Sequence, residues 1–383
     1  DDDKCVPIPP DDTCDPFDPR PFCTPFRSIE YCPAEKSFPN LVSSRYDIVK
    51  NDPQMIIDDY LWFHYLEDKA AAYAFTAECD VNTPELLCCI DNPALLYSCF
   101  APQTSLTEGF VIRAVGFHSG NGVFVLPNGF GDVELLRGTV YHKVDVLADL
   151  NALTPPPAKI LVEKFIPGDS GPLSLPTEYK FHVFNGQIGA VSAIYNKGTD
   201  CACYAEFDTN FERLDKYGCF EPGAPEQSNG ICYDIDFDAG AQNVGPVKGL
   251  DICSDPLPDI PECLWLDMVS FATTLSEKIG VYMRIDMFVS GDVAYVQEYS
   301  TNHNGGLRHC WSKKDPTGCI DSCFMGQLWH DASHGDLGNP TYGGQKKLEP
   351  TILQSWHTLS PDEMCYKAKS ISPPSPLVQS CYP

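Results

Sequence analysis

The chain is short of positive charge. Its 26 Lys and Arg stand against 53 Asp and Glu, a formal net charge of −27. Sequence-independent binding to nucleic acid needs a basic face, so that class of function is set aside. Docking on an anionic bilayer is set aside for the same reason, and no apolar run is long enough to cross one. There is no P-loop, no Gly-x-Ser-x-Gly elbow and no His-Glu-x-x-His. There is also no Asn-x-Ser/Thr glycosylation acceptor, so nothing but cysteine speaks for secretion.

Cysteine is abundant: 19 in 383 residues. Cytosolic thiols stay reduced, so this density predicts an oxidising compartment, either the secretory lumen or the outside of the cell, and a disulfide framework. The odd count leaves at least one thiol outside intrachain pairs. The first four Asp/Lys residues (DDDK) are expected to be a tag remnant and are set aside.

Four regions are expected. Residues 5–50 form a Cys/Pro-rich arm without sustained periodicity. Residues 51–158 form an N-terminal and small lobe, opening with helical spacing from Pro53 to about Ala77. Residues 159–335 form a large lobe that contains a Cys-rich insertion at 198–263, and 336–383 wrap the surface. Short β-rich runs occur at Phe110 to Ala114, Gly122 to Leu126 and Lys159 to Phe165. Two more, Tyr179 to Phe184 and Ile188 to Tyr195, flank the hairpin signal Asn185-Gly186. A helix from about Leu264 to Lys278 should stop at Gly280, before strands YMRIDMFV and VAYVQEY. The order predicts an α+β fold with antiparallel hairpins.

The second hairpin carries the chemistry. Alternate residues of a strand share a face, so Arg284 and Asp286 point the same way, and the turn at Gly291 brings Glu298 alongside. Two carboxylates on one sheet face repel unless a cation lies between them. Magnesium favours such hard oxygens together with phosphates. Other clusters fare worse. His330 and His334 have zinc spacing with Cys319 and Cys323, but those cysteines are expected in disulfides. Asp234, Asp236 and Asp238 start like a calcium loop whose glycine comes one place late and whose closing Glu is missing.

From about Leu66 to Asn304, outside the insertion, the chain resembles the ATP-grasp superfamily, and within it the TupA-like (teichuronopeptide biosynthesis) family. The segments that carry the likeness, in order, are LEDKAAAYAF, FVIRAVGFHSGNGVFV, KILVEKFIPG, TEYKFHVFNGQIGAV and the helix leading into MRIDMF. The resemblance implies two mixed α/β lobes clamping ATP, with Mg2+ (or Mn2+) as the metal. It implies Lys69, Arg113 and the loop of His118, Ser119 and Gly120 on the phosphates. Glu163, Lys164 and Phe165 would lie beside the base, with Glu178 in the family's acidic position. Asp286, Glu298, Ser300 and Asn302 would surround the metal, and Arg284 and Lys69 would serve catalysis. Three positions depart from the pattern: Arg113 stands for lysine, Glu178 for aspartate and Ser300 for asparagine. The activity implied is a carboxylate–amine ligase working through an acyl phosphate on a small-molecule, glycan or peptide substrate. A kinase of a sugar or glycan hydroxyl, and a non-catalytic binding protein with the same fold, remain open beside it.

Overall fold

The computed structural model describes residues 38–51, 62–100, 109–117, 120–157, 159–197, 202–207, 209–211, 251–253, 257, 260–301 and 320–332. His118, Ser119 and Asn302 lie outside the described residues, as do most of the arm, most of the insertion and the whole of 336–383. Within them the chain is α+β, built on two largely antiparallel sheets.

The smaller sheet has four strands: β1 (Leu86–Ile90), β2 (Phe110–Ala114), β3 (Val123–Leu126) and β6 (Ile160–Lys164), in the order β1-β6-β2-β3. A hairpin of β4 (Asp132–Glu134) and β5 (Thr139–Tyr141) stands beside it. One face of the smaller sheet buries Phe110, Ile112, Phe124, Ile160 and Val162 with Val146 and Leu150, which belong to the helix Lys143–Ala152. A disulfide from Cys88 to Cys99 ties β1 to the chain that follows it.

The larger sheet has six strands. They are β7 (Thr177–Phe184), β8 (Gln187–Tyr195), β9 (Cys203–Phe207), β10 (Asp251–Ile252), β11 (Tyr282–Ser290) and β12 (Val293–Ser300), in the order β10-β9-β8-β7-β11-β12. Asn185 and Gly186 both take positive φ in the tight β7–β8 turn, as that dipeptide predicts. The strands β9 and β10 lie inside the span expected as an insertion. They pair in parallel and are joined by the Cys203–Cys253 disulfide, so the flanks of that span belong to the sheet.

The odd-numbered side chains of the central strands, Tyr179, Phe181, Met283, Ile285 and Met287 among them, face one way into the main core. The helix Glu262–Ile279 packs there through Leu264, Trp265, Met268, Ala272 and Leu275. Each fully buried side chain of this kind contributes about 1.5–3 kcal/mol. The helix stops at Gly280, which caps it in the left-handed conformation at φ 76°.

Three elements differ from expectation. The helical run from Pro53 begins, among the described residues, as a 3-10 turn at Trp62–Glu67, followed by α-helix only from Lys69 to Glu78. Asp68 separates the two because its carboxylate caps the backbone of Ala70 and Ala71. The end of the expected arm is a helix, Phe38–Asn51, and a further helix spans Ile320–Ala332. Together these two helices bury Phe38, Val42, Met325 and Trp329 against Phe184 and Tyr282 of the larger sheet. Between them Arg45 is fully buried, its guanidinium 4.5 Å from the Trp329 ring centroid and donating to Tyr282 O and Thr301 O.

Candidate functional site

The even-numbered side of the larger sheet is charged. Register places Asp286 opposite Glu298 on one neighbour and opposite Lys180 on the other, and Arg284 opposite Ser300 and His182. The period of two therefore sets Glu178, Lys180, Arg284, Asp286 and Glu298 on one surface. These groups form a continuous ladder. Lys197 Nζ meets Glu178 Oε2 at 2.7 Å, and Lys180 Nζ lies 2.9 Å from Glu178 Oε1. Lys180 Nζ also meets Asp286 Oδ2 at 2.7 Å. Arg284 grips Asp286 by two donors, Nε to Oδ1 at 2.6 Å and Nη2 to Oδ2 at 2.7 Å. Its Nη2 lies 3.7 Å from Glu298 Oε1, and Lys69 Nζ closes the row at 2.8 Å from Glu298 Oε2.

The lysine at the end of the ladder comes from the helix Lys69–Glu78, which runs between the two sheets. Residues four apart share a helix face, and here that face carries Lys69 and Tyr73. Lys69 also donates to Gln297 O at 3.2 Å and Gln297 Oε1 at 3.0 Å, so its three N–H groups all point at β12. Tyr73 OH donates to Glu163 Oε1 at 2.9 Å on the smaller sheet, and Arg113 Nε donates to Glu163 Oε2 at 2.9 Å. Glu67, Asp68 and Lys69 make three separate long-range ties. Glu67 accepts from the Thr301 backbone and hydroxyl, Asp68 pairs with Lys159 at 2.7 Å, and Lys69 holds Glu298. This Glu-Asp-Lys run is the joint between the sheets.

The electrostatics follow from burial and partners. Burial alone would raise the Glu298 carboxyl, but Lys69 and Arg284 outweigh it and hold it down at about 2. Burial would likewise raise Glu178, yet Lys180 and Lys197 bring it well below the usual range. Lys180 moves up, because Asp286 and Glu178 overcome its burial. Lys69 moves down, since burial exceeds the pull of Glu298 and Arg113 repels it. The Tyr73 phenol is pushed well up by burial and by Glu163. Positive and negative side chains alternate along the ladder, with four cations (Lys197, Lys180, Arg284, Lys69) against three carboxylates (Glu178, Asp286, Glu298).

The site residues expected from sequence fall into three groups. Arg284, Asp286, Glu298 and Lys69 meet directly, and Ser300 lies across from Arg284. Glu178 joins them through Lys180, while Arg113 and Glu163 pair with each other on the smaller sheet. Lys164 ends the same strand and Phe165 follows it. The Lys164 side chain is exposed, 4.0 Å from Glu85, and the backbone N–H groups of the two donate to Glu85 O and Gly109 O. Gly120 sits in the turn between β2 and β3 at φ 76°. Sequence reasoning missed Lys180, Lys197 and Tyr73. Lys180 was open to detection, because a lysine two places from Glu178 within an apolar strand needs buried partners.

Among the described residues no three His, Cys, Asp or Glu side chains gather as a metal cage. Magnesium, however, takes one or two protein carboxylates and completes its shell with water and phosphate oxygens. Asp286 and Glu298 offer hard oxygens side by side, and Glu298 is the more open of the two, with a third of its side chain exposed. The donor set fits a magnesium ion shared with a phosphate chain, which Lys69, Lys180 and Arg284 are placed to neutralise.

No protein-family model matches the chain. No curated protein matches it either. Among solved structures it is similar to a D-alanine–D-alanine ligase from Helicobacter pylori, at 15% identity and a TM-score of 0.37, over 69% of this chain and 61% of that one. A D-alanine–D-alanine ligase from Bacillus anthracis complexed with ATP gives 17% identity and a TM-score of 0.33, over 62% and 53%. The VanG D-Ala:D-Ser ligase from Enterococcus faecalis gives 11% and 0.35, over 80% and 61%. The chain thus spans less than two thirds of each of these proteins. Likenesses this slight carry no weight for function.

Proposed function

We propose that the chain is an ATP-grasp enzyme that binds a magnesium–ATP complex on the charged face of its larger sheet and joins a carboxylate to an amine. The observation that carries this reading is the ladder itself. Lys69, Arg284, Lys180 and Lys197 alternate with Glu298, Asp286 and Glu178 on one face, beside a second sheet that contributes Arg113. Four of these charges, Glu178, Lys180, Arg284 and Asp286, are buried, and desolvating each costs several kcal/mol, a cost that packing alone would avoid with apolar residues. The family likeness read from the sequence points to six of these residues, Lys69, Arg113, Glu178, Arg284, Asp286 and Glu298, and not to Lys180 or Lys197.

When bound, the metal–nucleotide supplies the phosphoryl group that activates the carboxylate and the charge neutralisation that transfer requires. The chain's own residues divide the remaining work. Asp286 and Glu298 would hold the metal, with Ser300 and Asn302 nearby in sequence. Lys69, Lys180 and Arg113 would hold phosphate oxygens, and Glu163 would face the base. Arg284, passing from Asp286 to the phosphate chain as the metal–nucleotide binds, would stabilise the charge that develops there and the oxyanion that forms when the amine attacks. The disulfides Cys88–Cys99 and Cys203–Cys253 support action in an oxidising compartment, the secretory lumen or beyond.

Glu298→Gln tests the reading. The substitution keeps the shape and removes the charge, and it should abolish nucleotide turnover while leaving the circular dichroism spectrum unchanged. Full turnover in this variant sinks the mechanism. Product analysis separates an amide plus free phosphate from a phosphorylated hydroxyl, the kinase outcome. A thermal transition unmoved by Mg-ATP would identify a binding protein that has kept the fold without the nucleotide, because a ligand of the native state must stabilise it.

A further inference from the structure

The ladder has an order of assembly built into it. Each Asp286 oxygen is capped: Oδ1 by Arg284 Nε at 2.6 Å, Oδ2 by Arg284 Nη2 and Lys180 Nζ, both at 2.7 Å. Glu298 Oε2 is capped by Lys69 at 2.8 Å, and its Oε1 faces Arg284 at 3.7 Å. A bare divalent cation approaching these oxygens meets three positive side chains in the same small volume, and at such distances the repulsion is large in a site of low dielectric. To bind, it must strip carboxylates from Lys69, Lys180 and Arg284, leaving Lys180 with Glu178 alone, Lys69 with only the neutral oxygens of Gln297, and Arg284 short of its two-donor grip on Asp286.

A phosphate chain meets the reverse situation. Lys69, Lys180 and Arg284 already converge as donors, and each can pass from a carboxylate to a phosphate oxygen without losing its counter-charge. The transfer uncovers Asp286 and Glu298, which are then the ligands a metal needs. The net charge of −27 pulls the other way at long range, attracting divalent cations and repelling polyanions, so the order is set by the local ladder.

We propose that this site takes a polyphosphate anion without metal, and that the divalent cation binds tightly only once the anion is in place. The proposal rests on the nucleotide reading above and adds an order to it. Because coupling between two ligands is reciprocal, magnesium should tighten the anion at least about fivefold, and the anion should tighten magnesium by the same factor.

The test uses the full chain with its disulfides intact, followed by thermal denaturation and calorimetric titration. The probes are Mg2+ alone, inorganic tripolyphosphate in EDTA, and Mg-ATP. Tripolyphosphate in EDTA should raise the transition temperature, whereas Mg2+ alone should act equally on the parent and on Glu298→Gln, reporting only the acidic surface. Lys69→Gln uncovers Glu298, so in that variant Mg2+ alone should gain an effect beyond the parent's. Two results overturn the order while sparing the nucleotide reading: an Mg2+ shift that Glu298→Gln loses, or Mg-ATP binding with no response to tripolyphosphate in EDTA. Silence toward Mg-ATP as well would remove the nucleotide reading and this proposal with it.

Discussion

The two faces of the larger sheet are made by the same strands and obey opposite rules. On one, Phe181, Met283, Ile285 and Met287 pack against the helix Glu262–Ile279 and ask only for apolar volume. On the other, Glu178, Lys180, Arg284, Asp286 and Glu298 are held by partners at specified distances. The consecutive residues Arg284, Ile285 and Asp286 belong alternately to the two worlds. An apolar face tolerates exchange of similar volumes, whereas a buried ion ladder loses heavily when one member is deleted, because its neighbours stay charged. The contrast shows where stability and chemistry separate in this fold.

The largest effect should come from Asp286→Ala. Of the ladder carboxylates it leaves Arg284 only Glu298, at 3.7 Å, and Lys180 only Glu178, and urea denaturation should show a loss of about 3–5 kcal/mol. A loss under 1 kcal/mol would mean that the ladder is as forgiving as the core. Next comes Tyr73→Phe, which deletes a buried hydrogen bond to a carboxylate and should cost about 1.5–3 kcal/mol by the same assay. Tyr73 and Lys69 share one helix face, so this variant should also weaken Mg-ATP binding. An unchanged Kd would show that the two sheets are not coupled through that helix.

Acid should separate the faces as well. The Glu298 and Glu178 carboxyls sit below the ordinary glutamate value of 4.5, Glu298 at about 2. Carboxyls lowered by folding contribute stability that is full above about 4.5 and is lost as pH falls toward 2. His64, lowered by burial beneath its ordinary 6.5, works with the same sign from a higher starting point, because the unfolded chain takes its proton first. The denaturation midpoint should therefore begin to fall below pH 6.5 and drop more steeply below 4.5. In Glu298→Gln the steeper portion should flatten, and an identical profile would show that Glu298 is not held down in the folded protein.

Much of this was legible in the sequence, for a local reason. Strand pairing in β7–β8 and β11–β12 follows from two-residue periodicity and from Asn185-Gly186 and Gly291 at the turns, so the juxtaposition of Asp286 with Glu298 could be read directly. Contacts set by distant parts of the chain were not legible. Glu67 with Thr301 is one, and the burial of Arg45, on the helix Phe38–Asn51, against Trp329 of the helix Ile320–Ala332 is another. Tyr73 looked like one more apolar residue of an alanine-rich helix, because nothing local marks the carboxylate that its hydroxyl meets on the smaller sheet. Lys180 differs: Glu178, two places away on its own strand, could have marked it, but its second carboxylate, Asp286, comes from the neighbouring strand β11.

The smallest effect is the most diagnostic control. Ile285 lies between the two ladder residues in sequence but points into the core, with no exposed surface. Ile285→Val removes one methylene and should cost about 0.5–1.5 kcal/mol. The β-branched side chain keeps the strand's preferences, so register and the positions of Arg284 and Asp286 should be preserved. Measured beside Asp286→Ala, it should lower the denaturation midpoint slightly and leave the Mg-ATP thermal shift at its parental size. A ligand response that falls along with stability would mean that the two faces act as one cooperative unit, and the division between packing and chemistry drawn across this sheet would have to be abandoned.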